Sequence, residues 1–73
     1  MINTVEYIRI IDECIYKLKL LKNSLLFQKN AEKELMAQKN EKRINEIKKA
    51  ISSEGVYIEK LRNEVIDMVT FIL

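Results

Sequence analysis

The sequence predicts an all-α protein: a long antiparallel helical hairpin or a three-helix bundle with a coiled-coil-like seam, assembling as an oligomeric helix bundle. The chain has 73 residues, no proline and a single glycine, a composition that favours long helices. Its apolar residues recur at helical spacing in both halves. A chain this short buries only about 60% of its unfolded surface. With one cysteine and no histidine, it lacks an internal disulfide and a usual zinc site, so regular helix packing and self-association remain as sources of stability.

The first helix is predicted at about residues 3–37. Asn3 and Glu6 have the spacing of a capping box at its start. One apolar face follows a 3-4 spacing, is broken once by Lys22, and consists of Ile8, Ile11, Ile15, Leu18 and Leu25. The opposite side carries three more large apolar residues, Tyr16, Leu20 and Phe27. A monomer of this size has little material to cover both faces, so this second set is a candidate for a second interface.

The second helix is predicted at about residues 41–72. Isoleucine or valine recurs every seven residues in this half, with further apolar residues between, which is typical of a coiled-coil-like contact. The predicted oligomer seam comprises Ile8, Ile11, Ile15, Leu18, Leu25, Ile47, Ile58, Leu61, Val65, Met68 and Ile72. Gly55 leaves two alternatives open, a kink in a continuous helix or a break near 53–56, because glycine ends many helices.

The polar segment 28–43 contains the tripeptide Gln-Lys-Asn twice, at 28–30 and at 38–40. A turn at about 38–40 predicts two arms of nearly equal length joined by a polar tip, and Asn40 is a suitable N-cap for the second arm. A turn at 28–30 would instead make three shorter helices. A single unbroken helix is the third alternative, because neither proline nor glycine interrupts the segment.

Catalytic chemistry has few candidate residues in this sequence. Without histidine the chain lacks the usual proton-transfer group near neutral pH, and no glycine-rich loop is present to hold a phosphate. Cys14 lies among apolar residues at helical spacing, so we expect a buried structural thiol. We therefore predict a protein that is not an enzyme and has no catalytic residues, no metal site and no cofactor.

The predicted function is protein–protein interaction: a small homo-oligomeric helical adaptor, regulator or inhibitor that binds itself and another protein through apolar helix faces. The alternative is a nucleic-acid-binding regulator that uses a basic segment with Lys39, Lys42, Arg43, Lys48 and Lys49. No aromatic residue between Phe27 and Tyr57 offers a base-stacking platform. The chain shows no signal peptide or membrane span, so the expected location is the cytoplasm.

Overall fold

The computed structural model describes residues 4–73, which form two long α-helices packed against each other as a hairpin. Helix α1 spans Thr4–Ala37 and helix α2 spans Glu41–Ile72. The hairpin measures 57 × 14 × 13 Å. The all-α prediction is confirmed, and of the alternatives it is the two-helix hairpin that the structure shows. The capping role of Asn3 lies outside the described residues.

Gln38, Lys39 and Asn40 connect the two helices, and polar side chains bind the free backbone groups of this turn. The Gln38 Oε1 atom accepts hydrogen bonds from the backbone N–H groups of Lys39 and Asn40, both at 3.2 Å. Asn40 has an extended backbone and its Oδ1 atom accepts from the Arg43 N–H at 3.2 Å, which is an N-cap. Helix α1 is continuous through residues 28–30, so no turn occurs there. A single unbroken helix does not occur either, because residues 38–40 separate α1 from α2.

Helix α2 is continuous through residues 53–56, so the break considered there from sequence does not occur. Gly55 has no positive φ and therefore does not adopt the helix-ending conformation. A glycine inside a helix costs only about 1 kcal/mol. Ile51 and Ile58, on either side of Gly55, are both half-buried on the inner face of α2. A continuous helix keeps both side chains on that face.

Both helices bury one face against the other, with buried or half-buried residues every three or four positions. On α1 this inner face consists of Tyr7, Ile10, Cys14, Lys17, Leu21, Ser24, Gln28, Ala31 and Leu35. On α2 it consists of Ile44, Ile47, Ile51, Glu54, Ile58, Leu61, Val65, Met68 and Ile72. The α2 face is almost entirely aliphatic, whereas small and polar side chains occupy the middle of the α1 face.

The core between the helices is thin. Its buried apolar residues are Cys14, Ala31, Ile47 and Leu61, and Ser24 is the buried polar residue in the described part of the chain. The chain exposes 5959 Å², whereas a compact monomer of its 8.7 kDa mass exposes about 4,700 Å². The hairpin therefore leaves an excess of about 1,200 Å² in contact with water.

We expect the substitution Gly55→Ala to raise the free energy of unfolding by about 1 kcal/mol, because alanine is the better helix former. A Cβ atom added at Gly55 meets nothing within 4 Å, so the methyl group fits without rearrangement. Urea denaturation at fixed protein concentration measures the change. The control Ser52→Gly, on the exposed side of the same turn, should lower stability by about 0.5 kcal/mol. A loss of stability in Gly55→Ala would contradict the open space at this position.

Candidate interaction surface

The most apolar face of α1 lies on a flank of the helix, beside the contact with α2, and is half-exposed. Its five residues are between 43% and 55% exposed, and we call them the outer stripe: Ile8, Ile11, Ile15, Leu18 and Leu25. The sequence grouped them with six α2 residues in one oligomer seam. The structure separates the two groups, since the six α2 residues, Ile47, Ile58, Leu61, Val65, Met68 and Ile72, are buried or half-buried on the inner face of the hairpin.

Side-chain size explains which face of α1 packs against α2. Cys14, Ser24 and Ala31 are small, so they let the backbone of α1 approach the large isoleucines of α2 closely, and all three are buried. Turning the outer stripe inward would place large aliphatic side chains of α1 against the large isoleucines of α2 and hold the helices further apart. The sequence signal for the true inner face is the spacing of these small residues, which hydrophobicity alone does not detect.

Ion pairs at two places stabilise this orientation of α1 relative to α2. Near the middle, the Lys17 Nζ atom donates to the Glu64 Oε2 atom at 2.6 Å, and both side chains are mostly buried. Near the turn, the Arg43 guanidinium contacts Glu34 of α1 at 2.6 Å and Glu46 of its own helix at 3.3 Å. Because Lys17 directly precedes Leu18, fixing its ammonium against α2 directs the outer stripe toward solvent.

These contacts shift the protonation equilibria in the directions expected for ion pairs. The hydrogen bond from Lys17 holds the pKa of Glu64 below its usual value. The same bond raises the pKa of Lys17. Arg43 has a raised pKa for the same reason, first through its bond to Glu34 and then through that to Glu46. Lys17, Arg43 and Glu64 are therefore charged near neutral pH.

One further polar contact crosses the interface. The Gln28 Nε2 atom donates to the backbone carbonyl of Ile51 at 3.4 Å. The Gln28 Oε1 atom is buried and has no hydrogen-bond partner within residues 4–73. An unsatisfied buried oxygen costs on the order of 1–3 kcal/mol. Gln28 therefore stabilises the helix contact less than a long aliphatic residue at the same position would.

The outer stripe continues into an open hollow of about 390 Å³ near the middle of α1. It is lined by Leu18, Leu21, Lys22, Leu25, Leu26 and Lys29. Leucine side chains form its floor, and the two lysines lie one heptad apart along it. The surface therefore combines a long apolar strip with positive charge, and α1 carries no acidic residue between Glu13 and Glu32.

The second set predicted from sequence lies on the other flank of α1. Tyr16 and Phe27 are 59% and 48% exposed, and Leu20 is half-buried. Phe27 also lines a smaller groove of about 190 Å³ between the helices, next to Glu34, Arg43 and other residues. This flank is less continuous than the outer stripe because Leu20 is partly covered by α2.

The basic residues proposed for nucleic acid do not form one free cluster. Lys39, Lys42, Lys48 and Lys49 are exposed around the turn and the first part of α2. Arg43 binds two glutamates, so its guanidinium is occupied within the hairpin. A phosphate would have to compete with both carboxylates for this side chain, which makes the segment a weaker anion site than the sequence suggests.

Cys14 is a free thiol and is buried, as the sequence predicted. In residues 4–73 no group of three or more His, Cys, Asp or Glu side chains is placed to hold a metal ion. Neither of the two described helices is long and apolar enough to cross a membrane.

Comparison with models of known protein families, with curated proteins and with solved structures finds no match to this chain.

The Lys17–Glu64 pair predicts a specific pH dependence of stability. Because the pKa of Glu64 is lowered in the folded state, its contribution is present above the unfolded pKa and is lost as pH falls through the folded pKa. We expect the urea midpoint of the native protein to fall between about pH 6 and pH 3. Glu64→Gln should flatten this decline, since it removes the titrating partner.

Glu59→Gln is the matched control, because Glu59 is exposed on the same helix. It should leave the acid decline unchanged. Equal declines in the native protein and in Glu64→Gln would show that the ion pair does not form in solution.

Proposed function

We propose that this protein is a non-enzymatic interaction module, a small helical adaptor, regulator or inhibitor that first binds a second copy of itself. The observation that carries the proposal is the outer stripe, five half-exposed aliphatic residues along one face of a helix. Large contiguous apolar surfaces on soluble monomers are usually binding sites. The inner face of α1 is small and polar by comparison, so the best hydrophobic surface of this helix is free to bind.

The energies support association. A homodimer covers the five residues of both copies, which removes on the order of 1,000 Å² of apolar surface from water, a gain of roughly 25 kcal/mol at 25 cal/mol per Å². Association costs about 4–15 kcal/mol in lost freedom of motion. The apolar gain therefore exceeds this cost before neighbouring apolar residues such as Leu26, which is 47% exposed and lines the adjoining hollow, are counted.

The surface excess points to the same conclusion. A standard complex buries about 800 Å² on each partner, and the hairpin exposes about 1,200 Å² more than a compact monomer of its mass. A partner of ordinary interface size would therefore bring the exposed surface close to the normal value. Two hairpins packed side by side form a four-helix bundle, a common solution for helices with a second apolar face.

Self-association leaves other surfaces for another protein. Tyr16 and Phe27 lie on the opposite flank of α1, and the polar tip at 38–40 lies at the end of the hairpin. A homo-oligomer would display at least two copies of each of these surfaces. The functions of adaptor, regulator and inhibitor all suit this arrangement, in which the stripe assembles the protein and the remaining surfaces contact its target.

The test is the solution mass of Leu18→Glu, measured by light scattering over a wide concentration range. We expect the native chain to be a dimer or higher oligomer of the 8.7 kDa unit. Leu18→Glu should be monomeric and less helical, because a charge in the middle of an apolar contact has to be desolvated.

Val56→Glu is the matched control, because Val56 is 72% exposed on the outer side of α2. This variant should keep the native mass and helicity. A Leu18→Glu protein of native mass, or a native protein that stays monomeric at all concentrations, would show that the stripe is not an interface between copies.

A further inference from the structure

We infer that the second copy lies antiparallel, with the α1 helices of the two hairpins in contact and residues 4–13 of each against residues 20–29 of the other. This inference rests on the proposed self-association and adds its geometry. It is carried by the distribution of charge along the outer stripe and by the position of the single interruption in that stripe.

Charge along α1 changes sign with distance from its start. Residues 4–13 contain three acidic residues and one basic residue, which are Glu6, Asp12, Glu13 and Arg9. Residues 20–29, which face them in this arrangement, contain two lysines and no acidic residue: Lys22 and Lys29. An antiparallel pair places the acidic start of each α1 against the basic middle of the other. A parallel pair places like charges together over the whole contact, which is unfavourable.

Lys22 and Lys29 strengthen this argument because they lie within the stripe itself, along the hollow between Leu18 and Leu26. In a parallel dimer each of these lysines would lie beside its own counterpart in an apolar contact. Two facing ammonium groups without a partner carry a large desolvation cost. In the antiparallel dimer each lysine instead lies near the acidic start of the other helix.

The register follows from the spacing of the stripe. If Ile15 packs against Leu18 of the second copy, then Ile8 packs against Leu25 of that copy, and Ile11 against Lys22. The interruption at Lys22 thus meets an isoleucine, over which its methylene stem can lie. Its ammonium group then reaches Asp12 of the second copy, which is exposed and next to Ile11. The twofold axis makes this contact occur twice.

This arrangement determines where the two tips lie. The axis passes between residues 16 and 17, so each tip extends beyond the region of contact. At 1.5 Å per residue the two turns are about 70 Å apart, at opposite ends of the dimer. The dimer therefore presents two identical polar tips facing in opposite directions, which suits a protein that connects two copies of a target.

Cysteine cross-linking tests the orientation. In a Cys14→Ala background, one chain carries Ile8→Cys and a second chain, with a mass tag, carries Leu25→Cys. Disulfides require Cα atoms within about 7 Å. We expect the mixture to give the 8–25 cross-link on mild oxidation, while each variant alone gives little. Strong 8–8 and 25–25 cross-links without the mixed product would overturn the antiparallel orientation.

The outcomes in which no cross-link forms also test the inference. No cross-link in a protein that light scattering shows to be dimeric would mean that the stripe is not the contact, and the inference fails. If the Cys14→Ala background protein is monomeric and gives no cross-link, the solution mass of the native chain is measured next. A monomeric native chain would overturn both the proposed function and this inference. A dimeric native chain would show that Cys14→Ala disrupts the dimer, and the charge variants below, made with Cys14 in place, then test the antiparallel register.

Charge reversal gives an independent readout. We expect Lys22→Glu to weaken dimerisation about tenfold, because it removes two attractive contacts and adds two repulsive ones. Asp12→Lys combined with Lys22→Glu should restore most of the affinity. Lys33→Glu makes the same change of charge outside the contact region and should have little effect. A Lys22→Glu variant that dimerises as well as the native chain, or a double variant that is no better than Lys22→Glu, would overturn the register.

Discussion

The rotation of α1 about its own axis is the constraint on which the rest of the structure depends. Cys14, Ser24 and Ala31 let this helix approach α2 closely, and the Lys17–Glu64 pair holds it there. These contacts are modest in energy, yet together they decide which face of α1 is available to a partner. A rotation by one position would turn Ile11, Ile15 and Leu18 toward α2 and would expose the residues that now form the inner face of α1.

The thin core and the exposed stripe are two consequences of the same arrangement. Helices that pack through small residues come close together but remove little apolar surface from water, so a lone hairpin has little to offset the entropy of ordering the chain. The large aliphatic residues that would make a deeper core are on the outside. In the proposed dimer stability and function are coupled, because the surface that binds the second copy also supplies apolar burial that the lone hairpin lacks.

The charges have different roles in and around this interface. Arg43 joins the two helices near the turn through Glu34 and Glu46, and Lys17 joins them near the middle. Lys22 and Lys29 have no such role within the hairpin and lie along the stripe instead. Charges that pair inside the chain fix its shape, whereas those left on the stripe set the orientation of whatever covers it, which is why they carry the proposed antiparallel geometry.

The sequence by itself determined the helical class and the apolar seam of α2, because a seven-residue repeat of isoleucine and valine can be read without coordinates. It left open whether the chain turns at 38–40, at 28–30 or not at all, and the structure has the turn at 38–40. The sequence also indicated that α1 is apolar on more than one side. Only the tertiary structure decided which side of α1 faces inward, because hydrophobicity favours Ile8, Ile11 and Ile15, and the outcome depends on the fit of small residues against large ones across two helices. The continuity of α2 at Gly55 was likewise decided by packing, since the local preference of glycine is weaker than the joint burial of Ile51 and Ile58 on the same face.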